Sequence, residues 1–213
     1  MSFDPLARHY SWMEWILAGQ RLQSCRTAFL NEAASCQSAL LVGEGHGRFL
    51  AELRRAAPAA SICCVEQSAE MIRVTKRRLK RSGLAEEKTG FINVSIQEFE
   101  ANRPFDLVAT HFFLDCLDRS QLEIVTQKLV AALKPAGQWI ISDFQVPEKG
   151  WRAFRARCVL SLAYGFFRVA TKLPARKLVP PQPFLLQKGL RLKMRRQFNF
   201  DLLYAELWKK PAQ

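Results

Sequence analysis

Three alternating glycines mark the part of this sequence that is best placed to bind a ligand on which chemistry is done. Gly43, Gly45 and Gly47 follow an apolar run at residues 39–42 and precede an apolar and charged pattern of helical spacing. In α/β proteins, a strand that breaks into glycines and then starts a helix brings main chain against a nucleotide-like ligand. Glycine suits such a turn because it lacks Cβ. The alternative is a turn that is merely tight and holds no ligand.

A carboxylate further along the chain strengthens the ligand interpretation. Glu66 closes a second apolar run at residues 61–65, in a position where its two oxygens could accept both hydroxyl hydrogens of a ribose. Dinucleotide dehydrogenases use G-x-G-x-x-G, whereas the glycines here alternate as G-x-G-x-G. The spacing therefore fits a dinucleotide such as NAD less well than another adenosine-containing ligand, although a dehydrogenase remains an alternative.

The rest of the chain predicts the elements that must position these residues. Strand patterns alternate with helical patterns, which indicates a parallel sheet wound by right-handed crossovers. Two further strands joined by a turn at residues 199–201 complete an α/β, Rossmann-like, doubly wound, mostly parallel seven-stranded sheet with a C-terminal antiparallel hairpin. The predicted strands are 39–42, 61–65, 90–95, 105–110, 138–143, 190–200 and 202–208, and the helices between them are about 48–57, 69–81 and 119–133.

Helical segments outside this alternation predict covers for a binding site. We expect one domain over residues 1–213, with an N-terminal helical cover at 1–35 and a helical lid at 147–185 after strand five. The lid carries an apolar stripe at helical spacing, with arginines elsewhere. The stripe would either shield an apolar substrate from water or pack on the sheet, leaving the arginines in solvent. Its members are Trp151, Phe154, Cys158, Leu162, Phe166, Val169 and Leu173.

Composition excludes several classes of protein and raises one question about partners. The six cysteines form no C-x-x-C pair, so we expect reduced thiols in a cytoplasmic protein and no metal site. We find no secretory signal and no apolar run of about 18 residues that could span a bilayer. Residues 151–213 hold 14 of the 32 basic but 2 of the 19 acidic residues, hence nearly all of the +13 net charge. Such asymmetry suggests an anionic partner, or else a solvated basic face.

Five segments in this order resemble the class I S-adenosylmethionine-dependent methyltransferases over about residues 39–209. They match the family's glycine loop, ribose-acid segment, adenine-edge segment, fourth strand and L-K-P-G-G turn, respectively. The segments are Leu41-Val42-Gly43-Glu44-Gly45-His46-Gly47, Val65-Glu66-Gln67-Ser68-Ala69-Glu70-Met71, residues 91–99, Phe105-Asp106-Leu107-Val108-Ala109-Thr110-His111 and Leu133-Lys134-Pro135-Ala136-Gly137. Residues 4–10 are also similar to the opening of the ubiquinone/menaquinone-biosynthesis type, whose first helices cover the substrate.

The resemblance implies a cofactor and a set of residues that hold it. S-adenosyl-L-methionine would give up its methyl group in an SN2 transfer and leave as S-adenosyl-L-homocysteine. The glycine loop would offer backbone N–H groups to the methionine carboxylate, Glu66 would bind the ribose, and later residues would border the adenine. The implied cofactor-binding residues are Gly43, Glu44, Gly45, Gly47, Glu66, Gln67, Met71, Ser95, Ile96 and His111.

Two positions depart from the family's pattern. Leu41 stands where the family usually has an acidic residue near the methionine amino group, and Ser95 stands where it often has Asp. Glu44 could partly compensate for Leu41, and a serine hydroxyl binds an exocyclic amine more weakly than a carboxylate. Both departures predict weak cofactor binding or an altered ligand.

Catalytic and substrate residues are predicted from their place at strand ends and in the covers. An oxygen or nitrogen acceptor of high pKa needs a base, and His111 at the carboxyl end of strand four is where a base would lie. The alternative for His111 is a hydrogen bond to main chain near the ligand. Substrate contacts are predicted for Tyr10, Asp115, Asp143 and Trp151.

The sequence thus predicts methyl transfer to a small, apolar or amphiphilic metabolite. Alternatives are an RNA methyltransferase, favoured by the basic and aromatic last third, and a non-catalytic binding protein that keeps the fold, favoured by Leu41 and Ser95. The basic residues within 151–196 further predict contact with a membrane surface or an anionic ligand. Oligomeric state is not predicted.

Overall fold

The structure is a computed structural model that describes residues 20–84, 86–171 and 178–212, with the backbone alone over 162–171. Seven strands form a single sheet in the order β3-β2-β1-β4-β5-β7-β6. The first five strands in this order are parallel, and β7 runs antiparallel to both β5 and β6. The predicted fold class is therefore confirmed. Strand bounds are β1 Ser38–Val42, β2 Ser61–Val65, β3 Thr89–Ile92, β4 Phe105–His111, β5 Leu133–Phe144, β6 Arg191–Phe198 and β7 Leu203–Lys209.

Helices connect the parallel strands and cover both faces of the sheet. Two of them begin at side-chain caps: Ser68 accepts from the Met71 N–H, and Asp118 forms a capping box with Gln121. Within the described residues the helices are α1 Gln20–Arg26, α2 Leu30–Ala33, α3 Arg48–Ala56, α4 Ala69–Arg81, α5 Arg119–Ala131, α6 Gly150–Thr171 and α7 Gln182–Gln187. No helix in this part of the chain is long and apolar enough to cross a bilayer.

The core has two layers, one on each face of the sheet. Alternate residues of the strands point to opposite faces, so Leu41 and Ile140 join one layer while Leu40 and Ile141 join the other. The first layer packs against α1, α2, α3 and α6, and the second against α5 and α7. Leu41, which replaces the family's acidic residue, is fully buried in the first layer and contributes packing rather than charge.

The order of the strands identifies the edge where a ligand would bind. The chain winds outward from β1 through β2 and β3 on one side, and from β4 through β5 on the other. In open α/β sheets, ligands bind beyond the carboxyl ends of the strands at this reversal. Gly43 follows β1 directly and His111 ends β4, so both lie at that edge.

Two sequence predictions need correction, and a third falls partly outside the described residues. The N-terminal helical cover predicted at 1–35 includes the helices Gln20–Arg26 and Leu30–Ala33, while residues 1–19 lie outside the described part. The third strand ends at Ile92, three residues early. Helix α6 buries Ala153, Ala156 and Leu160, whereas Trp151, Phe154 and Cys158 of the predicted stripe are exposed. The side chains of the other predicted members, Leu162, Phe166, Val169 and Leu173, lie outside the described part.

The turn that starts β5 contains a residue in a conformation that normally requires glycine. Ala136 has φ +60°, and it stands where the resembling family has Gly. The left-handed region costs a non-glycine residue about 1–2 kcal/mol. The following residue, Gly137, has no positive φ, but a Cβ there would meet the Lys134 carbonyl oxygen at 2.8 Å.

We therefore expect opposite effects from two neighbouring substitutions. Ala136→Gly should raise the free energy of unfolding by about 0.5–1 kcal/mol, because relief of strain exceeds the added entropy of the unfolded chain. Gly137→Ala should lower it by about 1–3 kcal/mol, because the new methyl group overpacks a site walled by backbone. Urea unfolding of both variants measures the difference. Equal destabilisation by the two variants would contradict the strain at Ala136.

Candidate functional site

The glycine loop is held in a conformation and a space that only glycine fits. Gly43, Gly45 and Gly47 all have positive φ, between +60° and +71°. A Cβ at Gly43 would come within 2.5 Å of the Phe113 ring, and one at Gly47 within 2.5 Å of the Thr75 methyl group. No heavy atom lies within 4 Å of a Cβ placed on Gly45, which leaves open space on that side of the loop.

Helix α4 fixes the glycine loop, because two of its side chains donate hydrogen bonds to carbonyl groups of the loop. The Thr75 hydroxyl donates to the Gly45 carbonyl at 2.7 Å, and the Arg78 Nε donates to the His46 carbonyl at 2.7 Å. Thr75 is buried, so this bond is shielded from water. Sequence reasoning missed both residues, because they lie some 30 positions beyond the loop in an ordinary amphipathic helix and carry no motif.

The three glycine N–H groups are bonded within the protein. Gly43 donates to the Val65 carbonyl at 3.0 Å, Gly47 donates to the Glu44 carbonyl at 3.3 Å, and Gly45 donates to the Glu66 carboxylate at 3.2 Å. The resemblance implied that these groups face a methionine carboxylate. In this structure they stabilise the turn instead, so a ligand carboxylate needs another donor.

Glu66 follows β2 directly and its carboxylate lies beside the glycine loop, while its ribose contact stays a prediction. One carboxylate oxygen accepts from Gly45 N–H and the other accepts from Ser68 N–H at 2.9 Å. Asn93 supports the strand end by donating to the carbonyls of Glu66 and Gln67, both at 2.9 Å. The carboxylate is thus held between the glycine loop and the start of α4, with each oxygen oriented by a backbone group.

Glu44 combines a structural role with a place in the pocket. Its carboxylate accepts from Leu50 N–H at 2.9 Å and so caps the first turn of α3. It also lines a pocket beside the glycine loop. Burial raises the pKa of Glu44 to about 7, while the Leu50 N–H and the charge of Arg26 act in the opposite direction. Near neutral pH this carboxyl group is therefore only partly ionised.

Arg26 brings a positive charge from α1 into the same pocket. Its side chain is buried, and its guanidinium lies 4.9 Å from the centroid of the Phe112 ring. Sequence reasoning missed Arg26, since a single arginine in an N-terminal helix shows no sign that it reaches a loop across the fold. The pocket is lined by Arg26, Gly43, Glu44, Gly45, His46, Arg48, His111 and Phe112.

His111 reaches the predicted pocket, but its burial there makes it a weak base. It is 7% exposed and packs on Phe49 with ring centroids 4.2 Å apart. Neither ring nitrogen has a hydrogen-bond partner among the described residues, so the alternative of a main-chain bond is not seen there. Burial, aided by the charge of Arg26, lowers the pKa of His111 to about 3. The side chain is therefore a neutral imidazole of low basicity, so its predicted role as a base gains no support from the site.

The chain kinks immediately after His111. Phe112 has φ +54° and donates its N–H to the Ser142 carbonyl at 2.7 Å. A bulky residue in the left-handed region costs free energy and is common at ligand sites. The kink places the Phe112 ring under Arg26 and 5.2 Å from the Phe144 ring, and Phe113 against Gly43. The pocket thereby gains an aromatic wall.

The predicted adenine-edge residues are only partly in a binding arrangement. Met71 and Ile96 are buried, and Gln67 is exposed beside Glu66. The Ser95 hydroxyl donates to the Glu98 carboxylate at 2.8 Å, which makes it a turn residue in this structure. Direct adenine contacts by these four residues stay a prediction.

Asp115 and Asp143 form a buried pair away from the pocket. The Asp115 N–H donates to Asp143 at 3.1 Å, and burial together with the neighbouring Asp115 carboxyl raises the pKa of Asp143 well above its usual range. Ser142 points toward α1, where its hydroxyl donates to the Cys25 carbonyl, so Asp143 faces the other side of the sheet. Neither aspartate lines the pocket, so their predicted substrate contact gains no support from the geometry.

The remaining predicted positions lie outside the pocket or outside the described residues. Tyr10 belongs to residues 1–19, so its predicted substrate contact lies outside the described part. Trp151 is exposed on the outer face of α6. Within the described ranges, no group of three histidine, cysteine or acidic residues is arranged to hold a metal ion.

The low pKa of His111 predicts a specific pH dependence of stability. Between pH 3 and 6.5 the unfolded chain binds a proton on this residue that the folded protein does not, so acid favours unfolding. Relative to His111→Leu, the wild-type protein should lose about 1.4 kcal/mol of unfolding free energy per pH unit below 6.5, hence about 2 kcal/mol by pH 5.

Denaturant unfolding of both proteins from pH 8 to pH 5 measures this difference. All other titrating groups are shared, so they cancel in the comparison, and above pH 7.5 the two curves should run parallel. Parallel curves over the whole range would show that His111 is not held neutral by burial.

Comparison with known proteins agrees with the geometry. Residues 39–137 match a family model described as a methyltransferase domain. A curated relative, the malonyl-[acyl-carrier protein] O-methyltransferase of Priestia megaterium (strain DSM 319 / IMG 1521), is 27% identical over 135 residues. That match covers 63% of this chain and 46% of the relative, so the chain spans about half the length of the protein it matches.

Solved structures share the fold at low sequence identity. The N-methyltransferase NodS from Bradyrhizobium japonicum WM9, in complex with S-adenosyl-L-homocysteine, is 18% identical with a TM-score of 0.66, over 90% of this chain and 86% of that one. The Burkholderia thailandensis 1,6-didemethyltoxoflavin-N1-methyltransferase is 15% identical with a TM-score of 0.67, over 95% and 83%. The methyltransferase-domain match over residues 39–137, the curated relative and the shared strand order support a class I S-adenosylmethionine-dependent methyltransferase.

Proposed function

We propose that this protein transfers the methyl group of S-adenosyl-L-methionine to a small, apolar or amphiphilic acceptor. The observation that carries the proposal is the pocket in which Arg26 and the neutral His111 face the glycine loop at the carboxyl ends of β1 and β4. The cofactor supplies an electrophilic methyl group on a sulfonium that leaves as a neutral thioether. The protein therefore needs to bind, orient and exclude water more than to exchange protons.

In this proposal Arg26 binds the methionine carboxylate. The three glycine N–H groups donate to other protein atoms, and Arg26 lines the same pocket as Gly43 and Gly45 and brings a guanidinium to it. A guanidinium in a buried pocket forms charge-assisted bonds with a carboxylate, and its fork fits two oxygens at once. Arginine thus replaces the backbone anion site that the glycine pattern implied.

In the same proposal, Glu44 binds the methionine ammonium group. Leu41 is buried in the core and carries no charge, while the Glu44 carboxyl lies in the pocket. Because the pKa of Glu44 is about 7, a nearby ammonium would favour its ionised form. Glu66, fixed between Gly45 and Ser68, would accept from the ribose hydroxyls.

His111 acts in this proposal as a polar positioning residue. A neutral imidazole has one N–H and one lone pair, and both nitrogens of His111 are buried without a partner among the described residues. They can orient a bound ligand by donating to it and accepting from it. A pKa of about 3 makes proton abstraction at neutral pH unfavourable, so the acceptor atom should be nucleophilic without a strong base.

The acceptor is proposed to be small and apolar because of the walls of the pocket. Phe112 lines the pocket beside His111 and Arg26, the Phe49 ring packs 4.2 Å from the His111 ring, and the Phe144 ring packs 5.2 Å from the Phe112 ring. Aromatic surface beside a concave site suits a small apolar molecule. The named relatives methylate an acyl-carrier-linked malonyl group and a toxoflavin precursor, by their names. We place the reaction in the cytoplasm, since all six cysteines are free thiols.

Removal of the Arg26 guanidinium tests the cofactor site. Arg26→Ala should weaken S-adenosyl-L-homocysteine binding by about tenfold to a hundredfold, because a hydrogen-bonded charge pair contributes about 1.5–3 kcal/mol. Arg26→Lys keeps the charge without the fork and should lose less. Isothermal titration calorimetry measures both affinities.

Arg21→Ala is the matched control, because Arg21 lies on the same helix but is exposed and bonded to Asn199 at 3.0 Å. It should bind the product with wild-type affinity. An Arg26→Ala protein that is folded and binds as tightly as the control would remove Arg26 from the site. Wild-type protein that binds no cofactor at millimolar concentration would instead favour the non-catalytic alternative.

The acceptor class is tested by the formation of S-adenosyl-L-homocysteine. We expect turnover with members of a panel of small phenols, amines and amphiphilic carboxylic acids, and none with a total RNA preparation. The Glu66→Ala variant, which loses the proposed ribose contact, should show at least tenfold lower kcat/KM for the methyl donor. Methylated RNA with no small-molecule product would favour the RNA alternative.

A further inference from the structure

We propose that a cluster of aromatic and basic residues at the start of α6 docks this protein on an anionic lipid bilayer. The cluster, here called the outer patch, consists of Trp151, Phe154 and Phe200 with Arg152, Arg155 and Arg157. It lies outside the cofactor pocket, and the inference does not depend on which acceptor is methylated.

The orientation of α6 is the first argument. A helix normally buries its large apolar residues, but here Ala153, Ala156 and Leu160 are buried while Trp151 is 59% and Phe154 71% exposed. Residues three apart on a helix are neighbours, so the two aromatic rings share the outer face. Large apolar side chains grouped on the surface mark interaction sites, because solvent exposure of such groups is unfavourable.

The turn between β6 and β7 adds a third ring at a conformational cost. Asn199, Phe200 and Asp201 all have φ between +51° and +63°, in the left-handed region that asparagine and aspartate tolerate but that is unfavourable for phenylalanine. The turn nevertheless presents Phe200 at 48% exposure, with its ring centroid 5.4 Å from that of Trp151. Strain of this kind, maintained to expose an aromatic residue, indicates a functional surface.

Arginines surround these rings and fix the turn. Arg152 pairs with Asp201 at 2.6 Å, and Arg155 donates to the Asn199 side chain at 3.1 Å. The Arg155 guanidinium lies 5.2 Å from the Phe200 centroid. Arg157 is exposed on the flank of the same helix face. The aromatic rings are therefore held rigidly, with positive charge directly beside them.

This combination is complementary to an anionic membrane surface. Interfacial helices insert tryptophan and phenylalanine at the headgroup boundary while arginines meet the lipid phosphates. Each basic residue near an anionic leaflet strengthens binding by roughly fivefold. The rings project from a convex helix and turn, which suits insertion into lipid. Most of the +13 net charge belongs to the same third of the chain, residues 151–213.

Co-sedimentation of the full chain with lipid vesicles tests the proposal. We expect binding to phosphatidylcholine vesicles that contain phosphatidylserine, and little binding to phosphatidylcholine alone. Binding should fall steeply in about 1 M salt, where the Debye length is about 3 Å. Failure to bind phosphatidylserine vesicles at low salt would overturn the proposal and would leave the cofactor titrations unaffected.

Substitutions distinguish vesicle binding through the outer patch from nonspecific binding through any exposed apolar or basic residue. The double substitution Trp151→Ser with Phe154→Ser should weaken vesicle binding at least tenfold, whereas Ile124→Ser, at a 56% exposed site on α5, should not. Arg157→Glu should weaken binding about tenfold or more, and the control Arg77→Glu on the exposed side of α4 should change it less than twofold. Thermal unfolding checks that each variant is folded.

Two other outcomes would assign the outer patch differently. Tight binding to an RNA oligonucleotide that is lost in the Trp151 and Phe154 variant, without vesicle binding, would make it a nucleic-acid surface. A dimer in solution that dissociates in the same variant would make it an interface between copies of this chain. Either result overturns the lipid proposal.

Discussion

The close approach of α4 and Phe113 to the glycine loop is the constraint on which the rest of the site depends. Thr75 and Phe113 occupy the space that side chains at Gly47 and Gly43 would need. Because these contacts exist, the loop must be glycine and must adopt positive φ at both places. Thr75 and Arg78 then bind the loop carbonyls, so the loop, β1 and α4 form one rigid unit.

The three glycine N–H groups of the loop are hydrogen-bonded within the protein, so few backbone donors of the loop remain for a ligand. These N–H groups are used by Val65, Glu44 and Glu66, so the charges that recognise a methionine moiety have to come from side chains. Arg26 and Glu44 both line the pocket; burial raises the pKa of Glu44 and lowers that of His111, and the charge of Arg26 acts to lower both. Burial near Arg26 keeps His111 neutral, which fits a reaction whose leaving group needs no proton.

The fold and the cofactor strand ends were predictable because their signals are local. Alternating strands and helices, the glycine spacing and Glu66 all follow from short segments, and the structure has each in place. Arg26, Thr75 and Arg78 were not predictable, since each acts on the loop across a long stretch of sequence and has no distinctive neighbours. The prediction of the buried face of α6 was wrong over its described residues for a related reason. Periodicity identifies an apolar stripe, but it does not show which face of a helix is buried, and here the buried residues are Ala153, Ala156 and Leu160.

Helix α1 links the pocket to the outer patch. Its described residues, Gln20–Arg26, pack on the core through Leu22 and Cys25. Arg21 bonds to Asn199 in the turn between β6 and β7 and lies 5.5 Å from the Phe200 ring centroid. Arg26 at the end of the helix lines the pocket. The same helix therefore presents one arginine to the cofactor pocket and another to the turn that carries Phe200.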